Sequence, residues 1–276
     1  MQTSSDRRPW TFYLLAAVFA LYVLFLYGPM ICIFVLSFQG PQGGLVFPMR
    51  GRGIFWFVQL VTQADTGDMV GAISRSIPLA LIVMLLTVVV SVSAGLAFRE
   101  RFRGAAALFY LAVASLVAPG YVLGIGIGLM FQILGISTDW WSSALGAQLS
   151  WTLPFGLLIM FAVFGRLSRS YEEAARDMGS GRFATLWLVV LPIVLPGIIA
   201  VALFGFTLSY DEFPRTLQTT GGTNTLPLEI WGMTQNVTSP SIYALGTLTT
   251  IFSFAVIGIS LSAVALIQRR RAGRVA

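Results

Sequence analysis

Residues 170–192 read SYEEAARDMGSGRFATLWLVVLP, and four of the first eight residues are charged in a chain that is 57% hydrophobic and only 10% charged. Read as a helix, the segment 170–179 has its start and stop written into it. Ser170 predicts an N-cap, and Glu173 three residues later completes a capping box. Glu172 and Glu173 fall in the first turn, where the helix dipole favours negative charge. Gly179 follows the last turn and suits a left-handed stop. Tyr171, Ala174, Ala175 and Met178 share one face at the i, i+3, i+4, i+7 spacing. The two alanines let that face approach a partner closely. The alternative is a surface helix that lies back on its own domain.

The sequence on either side decides where this helix sits. Several stretches of 20 or more residues carry no charge, and about 20 apolar residues cross a bilayer as a helix. A helix satisfies its own backbone in lipid, where an open strand cannot. A soluble core-rich protein would break its apolar runs with a polar face every few residues. The chain therefore reads as an all-α membrane protein. Six spans are expected, over about 11–37, 77–98, 105–134, 145–165, 187–209 and 243–267. They form a single transmembrane domain over 1–276, with no soluble domain or linker. Arg7 and Arg8 before the first run resemble a signal peptide, but the run is far longer than an h-region of roughly 7–15 residues. It is expected to be a retained span.

Orientation follows from the arginines, which supply all the basic charge because lysine is absent. With the N-terminus in the cytoplasm, thirteen arginines fall on the inner side and four (Arg50, Arg52, Arg75 and Arg215) on the outer. Both termini are then cytoplasmic, and so is segment 170–179, between spans four and five. Outside, GRGIFWFVQLVTQ within 39–76 is expected to lie along the membrane surface as an amphipathic helix. In the third span Gly120, Gly124 and Gly128 follow Pro119 at small-xxx-small spacing, which predicts close helix packing. A nucleotide loop is a poor reading of these glycines, because no strand–turn–helix surrounds them.

Absences exclude several function classes. Without lysine there is no ordinary phosphate-binding P-loop. Without histidine, and with the lone Cys32 read as a small buried hydrophobe, neither a metal site nor a disulfide is expected. The acids are scattered along loops, so no catalytic constellation forms and an enzyme reading is poor. A basic balance explained by topology gives no reason to expect nucleic acid.

The stretch EAARDMGSGRFATLWLVVLP resembles the signature of permease subunits of binding-protein-dependent ABC importers. That signature is Glu-Ala-Ala, three residues, Gly, nine residues, Ile, one residue, Leu-Pro. Glu173, Ala174, Ala175, Gly179, Leu191 and Pro192 match at the same spacing, and Val189 replaces the Ile. The resemblance implies a type I importer permease fold in a bacterial inner membrane. Segment 170–179 would be the coupling helix, with Tyr171, Glu173, Ala174, Ala175, Met178 and Gly179 meeting the ATPase. It also implies partners: two ATP-binding subunits that hold ATP and Mg, a second and different permease subunit, a periplasmic or extracytoplasmic solute-binding protein, and membrane lipid. No cofactor is expected in this chain. Pro192 and Pro196 begin the fifth span, either as a stiff link from the coupling helix or as a plain helix start.

FTLSYDEF at 206–213 and LPLEIWGMTQNVTSPSIYALGT at 226–247 are similar to the ends of spermidine/putrescine importer permeases. Asp211 and Glu212, beside Tyr210, stand at the outer end of the fifth span, where ionisable residues are candidates for a substrate path. An acidic pair there would attract a polycation. Pro214 and Arg215 depart from the pattern. Arg215 would partly cancel the acids, and Arg suits carboxylate or phosphate. A zwitterionic or anionic solute (2-aminoethylphosphonate, an opine-type compound) or thiamine or ferric iron therefore stays open. From other classes, a stand-alone secondary transporter or an assembly protein that holds a soluble partner at 170–179 also stays open.

Overall fold

The computed structural model describes residues 9–62, 67–100, 102–236 and 239–272, and among them every regular element is helical. In chain order the α-helices are α1 Trp10–Leu36, α2 Phe55–Thr62, α3 Met69–Ala97, α4 Ala105–Val117, α5 Gly120–Ile133, α6 Ser143–Gly165, α7 Ser170–Asp177, α8 Arg182–Thr185, α9 Leu191–Tyr210, α10 Leu226–Asn236 and α11 Ser241–Ala272. Five helical runs are long and apolar enough to cross a membrane by themselves, and the α4–α5 pair makes a sixth if it is one span. Most span ends lie within a few residues of expectation. The second span is the exception: α3 begins at Met69, not near 77, because Asp68 caps it by accepting the Gly71 amide at 2.9 Å. Pro78 is carried inside the helix, and Arg75 lies in its second turn instead of in the preceding loop.

The contacts divide the chain into two compact units. One comprises Met1–Thr66 with Met233–Ile251, the other Gly67–Gly232 with Phe252–Ala276. In the first, α1 is apolar on all sides and exposed along nearly its whole length, the pattern of a helix whose solvent is lipid. Cys32 is exposed with it, not buried as expected. A loop after α1 is closed by a bridge between Gln39 and Arg52, and the Tyr243 hydroxyl donates to the Leu45 carbonyl at 3.2 Å.

In the second unit α3, α6 and α9 pack together around Met160, Phe164, Val190, Val194 and Val201. Apolar contact alone does not drive helices together in lipid, so packing and interhelical hydrogen bonds must do so. The bonds are present: Thr87 donates to Thr152 at 3.0 Å between α3 and α6, and Ser209 of α9 donates to Gln148 of α6.

The third span is not one helix. It breaks at Ala118-Pro119, and α4 and α5 meet at 105°. Proline lacks an amide hydrogen, its ring clashes with the preceding turn, and it drives the residue before it towards extended backbone. Ala118 obeys, with φ −68° and ψ 130°. The two halves still connect opposite ends of α6. Phe109 of α4 stacks near Phe161, close to the Gly165 end, whereas past α5 the backbone of Asp139 is hydrogen-bonded by Ser143 at the other end. The pair is thus a broken span and not a loop that returns to its own side.

Nor do the three glycines of α5 seat a neighbouring span. A Cβ on Gly120 would lie 2.7 Å from the Arg215 guanidinium, one on Gly124 2.7 Å from the Arg215 carbonyl, and one on Gly128 2.7 Å from the Gln218 carbonyl. The stripe packs on the short 3₁₀ turn Thr216–Gln218 that follows α9. Pro192 likewise does not start the fifth span, because helix runs continuously from Arg182 to Tyr210. The turn before the proline, Leu186–Val190, is widened to a π-helix, and Leu191 donates to the Leu186 carbonyl five residues back. That wider turn accommodates a residue that cannot donate to position i−4.

Candidate functional site

At the Gly165 end of the bundle the chain leaves α6 and forms α7, two turns over Ser170–Asp177. The expected capping box is not made. The helix starts one residue earlier, with Arg169 as N-cap, and its carbonyl accepts the amides of Glu172 and Glu173 at 2.9 and 3.0 Å. Ser170 becomes the first helical residue, and its hydroxyl accepts from Ser168 at 3.0 Å instead of reaching a backbone amide. The stop is as read. Gly179 has φ +87°, its amide donates to Arg176, and the Ser180 amide reaches back to Ala175 at 3.0 Å. This pair of bonds is the Schellman closure, which needs a residue tolerant of the left-handed region.

Of the residues expected to meet an ATPase, Tyr171 is 56% exposed and Met178 90% exposed. Glu173, Ala174 and Gly179 are also open, and Ala175 is half-buried. One side of α7 is therefore an open surface holding a tyrosine, a small residue and a methionine. The other side faces a cavity of about 180 Å³ lined by charged groups, including Arg99, Arg169, Glu172, Arg176 and Arg182, and the exposed Glu173 lies at its edge. Glu172 forms an ion pair with Arg99, two residues beyond the end of α3, and a longer one with Arg176 at 3.5 Å. Arg169 donates to the Arg99 carbonyl at 2.6 Å, and the Arg99 guanidinium lies 5.9 Å from the centre of the Phe164 ring. Glu172 entered the sequence reading only as a dipole-favoured acid and Arg99 only as an inner-side arginine. They are 73 positions apart, so no local spacing could have joined them.

At the other end of α9, Tyr210 is buried and stacks on Phe206 and Phe252, at ring-centre distances of 5.9 and 5.1 Å. Asp211 and Glu212 do not act as a pair. Asp211 is exposed, whereas Glu212 is buried and bound to Arg215. Its carboxylate accepts the Arg215 amide at 2.9 Å and lies 3.5 Å from the guanidinium. Burial pushes the Glu212 carboxyl up, and the Arg215 amide and charge pull it back only in part. Arg215 itself is buried, with its guanidinium 4.8 Å over the Trp151 ring, a cation–π distance. The turn after α9 is thus held by a Glu212–Arg215–Trp151 cluster seated on the α5 glycines.

A third group escaped the sequence reading. Glu229 accepts the Asp68 amide at 2.9 Å and the Asn224 side-chain amide at 2.8 Å. Arg75 bonds Asp68 at 3.0 Å and the Asn224 carbonyl at 2.8 Å. This cluster fastens the start of α3 to α10. The clue in the sequence was Glu229 inside an otherwise apolar 226–231, but its partners are remote. Among the described residues no three of His, Cys, Asp or Glu gather as metal ligands would.

Residues 67–274 match the family described as binding-protein-dependent transport system inner membrane component. The chain is 28% identical to the spermidine/putrescine transport system permease protein PotC of Haemophilus influenzae over 247 residues, covering 89% of this chain and 93% of that protein. It is 27% identical to the putrescine transport system permease protein PotI of Escherichia coli over 254 residues, 88% of this chain and 86% of that one. Among solved structures it resembles a chain of a bacterial ABC transporter that imports the acidic polysaccharide alginate, with TM-score 0.67, 15% identity and coverage of 94% and 96%. It also resembles a chain of the inward-facing MetNI methionine ABC transporter, with TM-score 0.57, 17% identity and coverage of 72% and 95%. A multi-pass helical chain with a capped, outward-facing helix between its fourth and fifth spans fits this company. The chain belongs to the binding-protein-dependent inner membrane components: it is a permease subunit of a type I ABC importer, spanning a bacterial inner membrane.

Proposed function

We propose that this chain forms half of the translocation pathway of an importer for spermidine, putrescine or a related small organic cation, and that α7 is its coupling helix. The observation that carries the coupling assignment is α7 itself: a short helix, sharply closed at Gly179, whose Tyr171, Ala174 and Met178 face outward from the bundle. In this reading both termini are cytoplasmic, the whole chain acts as one permease domain, and a second, different permease completes the pore. Two ATPase subunits bind ATP and Mg and receive α7, with Glu173 and Gly179 at the contact. A soluble binding protein presents the solute on the opposite face. Closure of the ATPases would displace α7 and open the pathway outward.

The cation assignment is supported by what the relatives PotC and PotI are named for. It is also supported by charge. Arg215, the residue that argued for an anionic solute, is buried against Glu212 and Trp151, which leaves Asp211 as the open charge at the end of α9. The test is uptake of labelled spermidine and putrescine by cells with and without this chain, its partner subunits present. Unlabelled polyamine, amino acids, 2-aminoethylphosphonate and opines serve as competitors. Loss of polyamine uptake on deletion, with only polyamine competing, is the expected result. Unchanged polyamine uptake would overturn the substrate assignment. In the same cells Glu173→Lys or Gly179→Asp should abolish uptake while the chain still inserts, and unimpaired uptake in both would overturn the coupling assignment.

A further inference from the structure

The importer reading leaves open how a displacement of α7 reaches the helices of the bundle. Covalently, α7 is joined to α6 on one side and to α8 and α9 on the other, with the π-helical turn Leu186–Val190 in the second route. Such π-helical turns are rare and frequently lie at functional sites. The third core helix, α3, has no such connection, yet it packs along both α6 and α9.

Its link is Arg99. This residue lies just beyond the C-terminus of α3, where a cation is favoured by the helix dipole, and Glu172 lies in the first turn of α7, where an anion is favoured. The ion pair between them joins the negative end of one helix to the positive end of the other. Both side chains are mostly shielded, at 12% and 19% exposure, so solvent screens the pair less than a surface one. Two further contacts leave Arg99 little freedom. Its carbonyl takes the Arg169 guanidinium, from the N-cap residue of α7, and its own guanidinium lies by the ring of Phe164, which also packs against Gly95 of α3. The first turn of α7 is thereby gripped twice by one residue of the α3 terminus. None of these contacts uses the open face of α7 that holds Tyr171 and Met178.

We propose that Arg99 is a positioning residue for coupling: through Glu172 it makes α3 follow α7, so that docking on the outer face of α7 moves the bundle core. The proposal rests on α7 being the ATPase dock. The full complex, this chain with its partner permease and ATPases, would be purified as wild type, Arg99→Met, Arg99→Lys and Glu172→Gln. Three readouts are needed: co-purification of the ATPase subunit, ATP hydrolysed, and solute taken up per ATP in proteoliposomes. Arg99→Met and Glu172→Gln should keep the ATPase bound and hydrolysis running while uptake per ATP falls about tenfold, and Arg99→Lys should return it to within about twofold. Met178→Glu, on the open face of α7, should instead lose co-purification. If that variant keeps the ATPase, the dock assignment fails. If Arg99→Met and Glu172→Gln transport at the wild-type ratio, or lose the ATPase as Met178→Glu does, Arg99 does not transmit. Should Arg99→Met reduce the amount of inserted protein, Glu172→Gln, which preserves side-chain volume, decides alone.

Discussion

Glu212→Ala separates a structural carboxylate from a substrate-binding one. Glu212 is 3% exposed and Arg215 7%, and Glu212 receives both the Arg215 amide and its guanidinium. Removing one partner of a buried pair strands the other charge and costs about 3–5 kcal/mol. The Trp151 face still attracts the guanidinium in the variant, so that contribution, about 1 kcal/mol, is common to both proteins and cancels. At roughly 2–4 °C per kcal/mol for a chain of this size, the midpoint of unfolding should fall by about 10 °C. Thermal unfolding of the detergent-purified protein, followed by tryptophan fluorescence, reads this directly. Asp211→Ala is the control: its side chain is exposed, and its midpoint should move by no more than about 2 °C. Glu212→Leu with Arg215→Met removes both charges and should recover most of the loss. A Glu212→Ala protein that melts within about 2 °C of wild type yet fails to import cations would refute the reasoning and return Glu212 to the substrate path.

Two further outcomes follow from the same geometry. Gly124→Val would press a side chain onto the Arg215 carbonyl and should cost about 1–3 kcal/mol, whereas Gly126→Val, with nothing within 4 Å, should melt near wild type; equal midpoints would dismiss the packing of α5 on the Arg215 turn. Hydrogen bonds first from Arg75 and then from the Gly71 amide hold the Asp68 carboxyl below its ordinary value of 3.8, so its cap on α3 is fully present above that value and fades as pH falls through the lowered one; hydrogen exchange in the first turn of α3 should show that pH dependence in the wild type and not in Asp68→Asn.

The spans, the short helix and its stop were legible from the sequence alone, because each depends on neighbours within a few positions. Membrane helices need only a run of apolar residues about 20 long, whatever lies beside them. The end of α7 needs only a glycine that can take φ +87°. Its start was less legible. The expected cap, the Ser170 hydroxyl, accepts from Ser168 instead, while the Ser168 hydroxyl takes the Ser170 amide at 3.2 Å and the Arg169 carbonyl opens the helix. Pro119 was a visible signal, but proline permits a kink of any size. The 105° break arises in a structure where α5 lies on the Arg215 turn.

Tertiary structure alone decided the pairing of charges. Asp211 and Glu212 are adjacent and look alike in the sequence, yet one is open and the other closed against Arg215 and Trp151, a ring 64 positions away. Arg99 and Glu172 are read from the chain as two unrelated surface charges, and folding makes them a part-buried tie between α3 and α7. Local periodicity specifies which segments are helical, because a helix satisfies its own backbone. Which charge meets which depends on where those helices cross, and crossing is set by packing between residues that no fixed spacing relates.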